Sequence, residues 1–142
     1  MFMKEPHHVP SIAEIKERLT PLFEDESLQL VLLFGSALTR SVHKGSDIDL
    51  AFLYDKPVDV VSLTNRVIRL LHRDTVDVVD LRSANPLLRF SVVQKGSPLY
   101  EKSPGVFHTF CSLAFRMYVD SKKLRDGQAK VIKNFLETRG QR

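Results

Sequence analysis

The residues of this chain whose types and spacing suit chemistry are Gly35 and Ser36 and, after ten intervening residues, Asp47-Ile48-Asp49. Two aspartates at i and i+2 on a strand project from one face with Cα atoms roughly 6 to 7 Å apart. Hard carboxylate oxygens placed that way suit Mg²⁺, an ion held by one or two carboxylates together with substrate phosphates. Two such ions about 3.5–4 Å apart stabilise both the attacking and the leaving oxygen of an in-line displacement. Gly35 and Ser36 supply the phosphate holder. A glycine at the end of a buried strand lets backbone approach a phosphate, and a serine opening a helix offers donors at the positive end of a dipole. A third carboxylate from a neighbouring strand would complete the inner site, and the chain offers Asp77 and Asp80. They have opposite strand parity, so only one of them can face the aspartate pair. Taken singly, Ser36 is a helix cap, Gly35 a turn glycine and the aspartates strand-start acids; their combination is what speaks for metal.

These residues need strands and helices to hold them. Ser11, three residues before Glu14, forms a capping box, and Ile12, Ile15, Leu19 and Leu22 recur at helical spacing, which predicts a helix over 11–23. The apolar run from Leu28 to Phe34, broken only by Gln29, suits a buried strand that Gly35 ends. Ser36 opens a short helix to about residue 41, and residues 47–53 alternate acid with apolar before becoming wholly apolar, a second strand. A helix over 58–72 follows, carrying Val60, Leu63, Val67 and Leu71 on one side. Residues 76–81 read as a third strand, Pro86 starts a helix to about residue 95, and residues 97–101 read as a short edge strand. One long helix, or two broken near Gly127, closes the chain. The order is that of an α/β protein, with a core over 1–103 and a C-terminal helical extension over 104–142, packed on the core or on a partner.

Composition bounds the reading further. A chain of 142 residues, 43% hydrophobic and 27% charged, describes one small folded domain. Its longest apolar run, Leu30 to Phe34, is far from the roughly 20 residues a membrane span needs, and the N-terminus has no signal-peptide core. A single cysteine, Cys111, excludes a thiolate-cluster zinc site; it reads as a buried core thiol in a reducing, cytoplasmic compartment. Charge is uneven: residues 115–142 carry eight Lys and Arg against three Asp and Glu, whereas the first 114 carry thirteen against fourteen. Such a tail can meet nucleic acid, an acidic protein partner or solvent. Phe107, Phe110, Phe115 and Tyr118 have helical spacing and read as core or partner interface rather than a base-stacking platform.

The spacing Gly35-Ser36, ten residues, Asp47, one residue, Asp49 resembles the signature of the minimal nucleotidyltransferases of the DNA polymerase β superfamily. The runs Val76 to Leu81 and Pro86 to Phe90, with Gly96 and Leu99-Tyr100-Glu101, resemble the MntA-like antitoxin branch of that family, whose partners are HEPN-domain (HepT) toxins. The resemblance implies a nucleotidyltransferase fold, a small mixed sheet with helices packed on one side plus a C-terminal helix. It implies transfer of AMP from ATP to a tyrosine hydroxyl of a cognate HEPN ribonuclease, with Asp47, Asp49 and Asp77 as catalytic and metal-binding residues for two Mg²⁺ ions. The family's third acid sits in a hydrophobic-Asp-hydrophobic-hydrophobic strand, the pattern around Asp77 rather than Asp80. Gly35, Ser36, Arg40 and Lys44 would hold the nucleotide. The family commonly places Arg-Gly where this chain has Thr39-Arg40, a departure in the phosphate loop. Two other classes stand beside this reading: an antitoxin that binds and masks the toxin without catalysis, and a nucleotidyltransferase acting on a nucleic-acid or small-molecule hydroxyl.

Overall fold

The computed structural model describes residues 10–35 and 48–140, with side chains through residue 137. Ser11 caps α1 (Ile12–Arg18), its Oγ accepting the Glu14 N–H at 3.2 Å. The single helix predicted over 11–23 is divided at Leu19, and α2 (Thr20–Phe23) begins a new turn. Pro21 is the cause: it has no N–H to give the Glu17 carbonyl, which accepts the Thr20 hydroxyl at 2.7 Å instead. Leu19 and Leu22 are nonetheless buried, so the break keeps the apolar face turned inward.

Four strands follow: β1 (Leu28–Phe34), β2 (Ile48–Tyr54), β3 (Val76–Asp80) and β4 (Ser97–Glu101). They form one sheet in the order β3-β2-β1-β4. β1 pairs antiparallel with both β2 and β4, while β2 and β3 run parallel, joined through α3 (Val60–Leu71). A parallel pair requires such a crossover, and α3 is built for it. Asp59 caps its start, accepting the Val61 and Ser62 N–H groups, and Leu63, Val67 and Leu71 are its buried stripe. His72 ends α3 in the left-handed conformation, φ 55°.

Side chains alternate across a strand, so the sheet divides the core in two. On one face Val31, Leu33, Leu50, Phe52 and Val76 pack with Ile15, Leu19 and Leu22 and with the α3 stripe. On the other, Leu30, Leu32 and Ala51 pack with Leu81, with Val92 of α4 (Pro86–Lys95) and with Phe110 and Ala114 of α5 (Val106–Gly140). The expected mixed sheet and C-terminal helix are present, but the helices do not all pack on one side: α1 to α3 cover one face and α4 and α5 the other, because the central strands are apolar on both faces. Central β1 is buried on both faces, which is why it reads as an apolar run broken only by Gln29. α5 is continuous through Gly127. Cys111 lies on α5 and is half-buried rather than buried, with burial raising its thiol pKa. No helix among the described residues is long and apolar enough to cross a membrane.

Candidate active site

β1 ends at Phe34, which stands opposite Asp49 in the antiparallel β1–β2 register. The next residue, Gly35, turns the chain away with φ +77°, a conformation L side chains rarely adopt. The turn brings its backbone against the neighbouring carboxylate: a Cβ at Gly35 would lie 2.0 Å from Asp49 Oδ2 and 2.9 Å from its Cγ. Gly35 is required here because a methyl group and the Asp49 carboxylate cannot share that space.

Asp49 is itself held by its strand. Its neighbours Ile48 and Leu50 are buried on the opposite face, and the Ile48 N–H donates to the Thr75 carbonyl at 3.2 Å, tying the start of β2 to the approach to β3. In the parallel β2–β3 register Asp49 pairs with Asp77. Register partners on adjacent strands share a face, with the strands about 4.8 Å apart, so the two carboxylates emerge side by side. Asp49 is half-buried and Asp77 exposed. Their face also carries Phe34, Ala51 and Val79, the side of α4 and α5.

Asp80 is placed differently. It pairs with Phe52, a residue of the opposite core, and so has the other parity. Its carboxylate closes the turn after β3, accepting the Arg82 N–H at 3.1 Å and the Ser83 hydroxyl at 3.0 Å. Of the expected site residues, the structure therefore brings together Gly35, Asp49 and Asp77. Ser36, Arg40, Lys44 and Asp47 lie outside the described residues.

Two residues without an expected role help build the site. His72 at positive φ and Arg73, whose N–H donates to the Ile68 carbonyl at 3.3 Å, make the turn that delivers Thr75 to Ile48. A non-glycine residue in the left-handed region leaves no sequence signal, so neither could be read beforehand.

A cradle lined by two carboxylates, with backbone pressed against one of them, is an oxygen donor set suited to a hard divalent cation. The chain is 28% identical over 145 residues to the protein adenylyltransferase MntA of Aphanizomenon flos-aquae, covering 93% of this chain and 97% of that one. It is 41% identical over 76 residues to the Shewanella oneidensis protein of the same name, covering 51% and 54%. A crystal structure of a toxin-antitoxin with AMP-PNP superposes with TM-score 0.69 at 28% identity, over 89% of this chain and 99% of the other. A structure of the tri-AMPylated Shewanella oneidensis HEPN toxin in complex with MNT antitoxin superposes with TM-score 0.65 at 27% identity, over 88% and 98%. Residues 17–105 match the family described as polymerase beta, nucleotidyltransferase; that span runs from within α1 to just beyond β4 and includes Gly35, Asp49 and Asp77, and the chain belongs to this family.

Proposed function

We propose that this chain transfers AMP from ATP to a tyrosine hydroxyl of a cognate HEPN ribonuclease toxin and thereby neutralises it. The observation that carries the reading is the pairing of Asp49 with Asp77 beside Gly35, in a chain similar over 93% of its length to a protein adenylyltransferase. The relatives found in toxin complexes supply the partner class.

In this reading Asp47, Asp49 and Asp77 hold two Mg²⁺ ions. When bound, such ions lower the pKa of the incoming hydroxyl and neutralise charge on the phosphates. The chain's own groups do the positioning. Gly35, Ser36, Arg40 and Lys44 hold the β- and γ-phosphates, Gly35 offering backbone that no larger residue could bring as near to Asp49. The tyrosine oxygen bonds to the α-phosphorus as the bond to the β-phosphate oxygen breaks; the hydroxyl proton passes to solvent and pyrophosphate leaves in line. The buried neighbours of Asp49 keep its carboxylate in place without a rearrangement at the moment of reaction. The small core carries the chemistry and the toxin brings the acceptor, so no separate substrate domain is needed. The setting is cytoplasmic, where ATP and Mg²⁺ are abundant.

The test is the intact mass of a HEPN-domain toxin that binds this chain, after incubation with the chain, ATP and Mg²⁺. A gain in whole AMP units, absent with Asp47→Asn/Asp49→Asn, supports the reading. A stable complex without mass gain overturns it in favour of masking by binding alone.

A further inference from the structure

The first turns of α5 are packed on the sheet, with Phe110 and Ala114 buried and Met117 and Tyr118 half-buried. Tyr118 stacks on Phe90 of α4 at 4.0 Å, and the Arg125 guanidinium lies 5.5 Å over the Tyr118 ring. Beyond Arg125 every described side chain through Glu137 is exposed. From Ser121 to Gly140 the helix continues for about 28 Å at 1.5 Å per residue.

The face that packs on the sheet keeps an apolar stripe there, interrupted by Ser121 and Gln128. Phe110, Ala114, Met117, Ser121, Leu124, Gln128 and Val131 recur at alternating intervals of four and three residues, the spacing of a helix seam. Beyond the core this stripe presents Leu124 at 64% exposure, Val131 at 67%, Ile132 at 58% and Leu136 at 61%, with Phe135 at 55% between them. At 3.6 residues per turn these side chains span an arc of roughly 140°, broader than the narrow seam of a two-stranded coil. The same segment carries Lys122, Lys123, Arg125, Lys130 and Lys133 against Asp126 and Glu137.

We propose that this projecting half of α5 docks into an apolar, acid-rimmed groove on the HEPN toxin, so that the chain holds its substrate by a helix outside the nucleotidyltransferase core. The partner's identity rests on the proposed function; the docking surface rests on the stripe. Three features favour such a groove over a second copy of this chain. The arc is wider than one opposing helix covers. Four aliphatic side chains and Phe135 fall short of the roughly 800 Å² each partner contributes to a stable interface, so the occupant must also reach past the stripe. Self-pairing would bring two basic segments together, whereas acidic groups at the groove's rim would meet Lys122 and Lys133, which flank the stripe on the Leu136 side. A nucleic acid would engage the lysines and leave the aliphatic stripe in water.

The test compares wild type with Leu124→Glu and Val131→Glu in binding to a HEPN-domain toxin that wild type binds, by calorimetry, with Asp126→Asn on the opposite side as control. Both glutamate variants should weaken binding at least tenfold, Asp126→Asn less than threefold, and circular dichroism should show all three folded. Where AMP transfer occurs, the toxin concentration giving half the maximal rate should rise by the same factor with the maximal rate changed less than threefold. Loss of binding in the glutamate variants without AMP transfer by wild type sustains the docking surface and removes the catalytic reading. Unchanged toxin affinity overturns the proposal, including the case where the variants disrupt only self-association or only nucleic-acid binding.

Discussion

Asp49 and Asp77 stand opposite one another in the parallel β2–β3 register, whereas Asp80, three residues beyond Asp77, stands opposite Phe52. One strand thus presents one acid to the site face and gives the other to a turn, where the Arg82 N–H and the Ser83 hydroxyl occupy its oxygens. The division follows from the two-residue period of a strand and cannot be reversed without shifting the register.

That division makes the two acids separable by substitution. Asp77→Asn should lower AMP transfer at least about 100-fold while leaving the melting temperature near that of wild type, because an amide keeps the shape and loses the charge. Asp80→Asn should keep the rate within about threefold, since its oxygens serve the turn. Initial rates under toxin saturation decide this, and an Asp80→Asn defect as deep as that of Asp77→Asn would overturn the assignment.

Much of this arrangement can be read from residue order alone. β1 and β4 have the predicted bounds, because a strand buried on both faces and a short strand between Gly96 and Pro104 are marked by their own residues. The Gly35–Asp49 pairing is legible as a motif, although the 2.0 Å conflict that demands glycine is a property of the fold. Less legible are features that apolar spacing alone does not show. The helix break at Leu19 depends on a carbonyl losing its donor to Pro21, a local rule outweighed by the apolar period when only spacing is read. The preference for Asp77 over Asp80 came from a pattern; its physical reason, the register with β2, exists only once β3 has paired. Half-buried Cys111 shows that apolar spacing on a helix does not by itself say how far a neighbour covers it.

Gly35→Ala tests the close approach. The left-handed conformation costs a residue with a Cβ roughly 1–2 kcal/mol, and displacement of Asp49 adds to it. The variant should be destabilised by at least that amount and lose most of its AMP transfer. In the double variant Gly35→Ala/Asp49→Ala the 2.0 and 2.9 Å conflicts are removed and only a 3.3 Å Cβ approach remains, so part of the lost stability should return while activity does not. Denaturant unfolding of the four proteins gives the coupling. Strict additivity of the two stability changes would mean that the methyl group and the carboxylate do not compete for space.

Acid should weaken the fold through two capping carboxylates. The Ser62 hydroxyl and amide and the Val61 amide hold the Asp59 pKa below its ordinary value, and the Ser27 hydroxyl and amide do the same for Asp25. A folded-state pKa below the unfolded one gives stability that is present above the unfolded value and lost as pH falls through the folded one. The melting temperature should therefore change little from pH 7 to about 5 and fall below about pH 4. Asp59→Asn should flatten that fall. A decline of the same steepness in the variant would show that Asp59 contributes nothing to it.

Ligand binding to the carboxylate face should appear in stability as well as in rate. A ligand that binds only the folded state stabilises it by RT ln(1 + [L]/Kd), about 1.4 kcal/mol at ten times Kd. For a chain of 142 residues that raises the melting temperature by roughly 5 °C. Mg²⁺ with a non-hydrolysable ATP analogue should produce this rise in wild type, and EDTA should abolish it together with AMP transfer. Asp49→Asn should melt close to wild type without ligand, because the amide fits the same space beside Gly35, and should show little or no rise with ligand. The toxin is absent from this measurement, so it reports on the nucleotide and metal site alone. An equal rise in Asp49→Asn would mean that the analogue binds without the carboxylates and would remove Asp49 from the metal site, whatever the variant's activity.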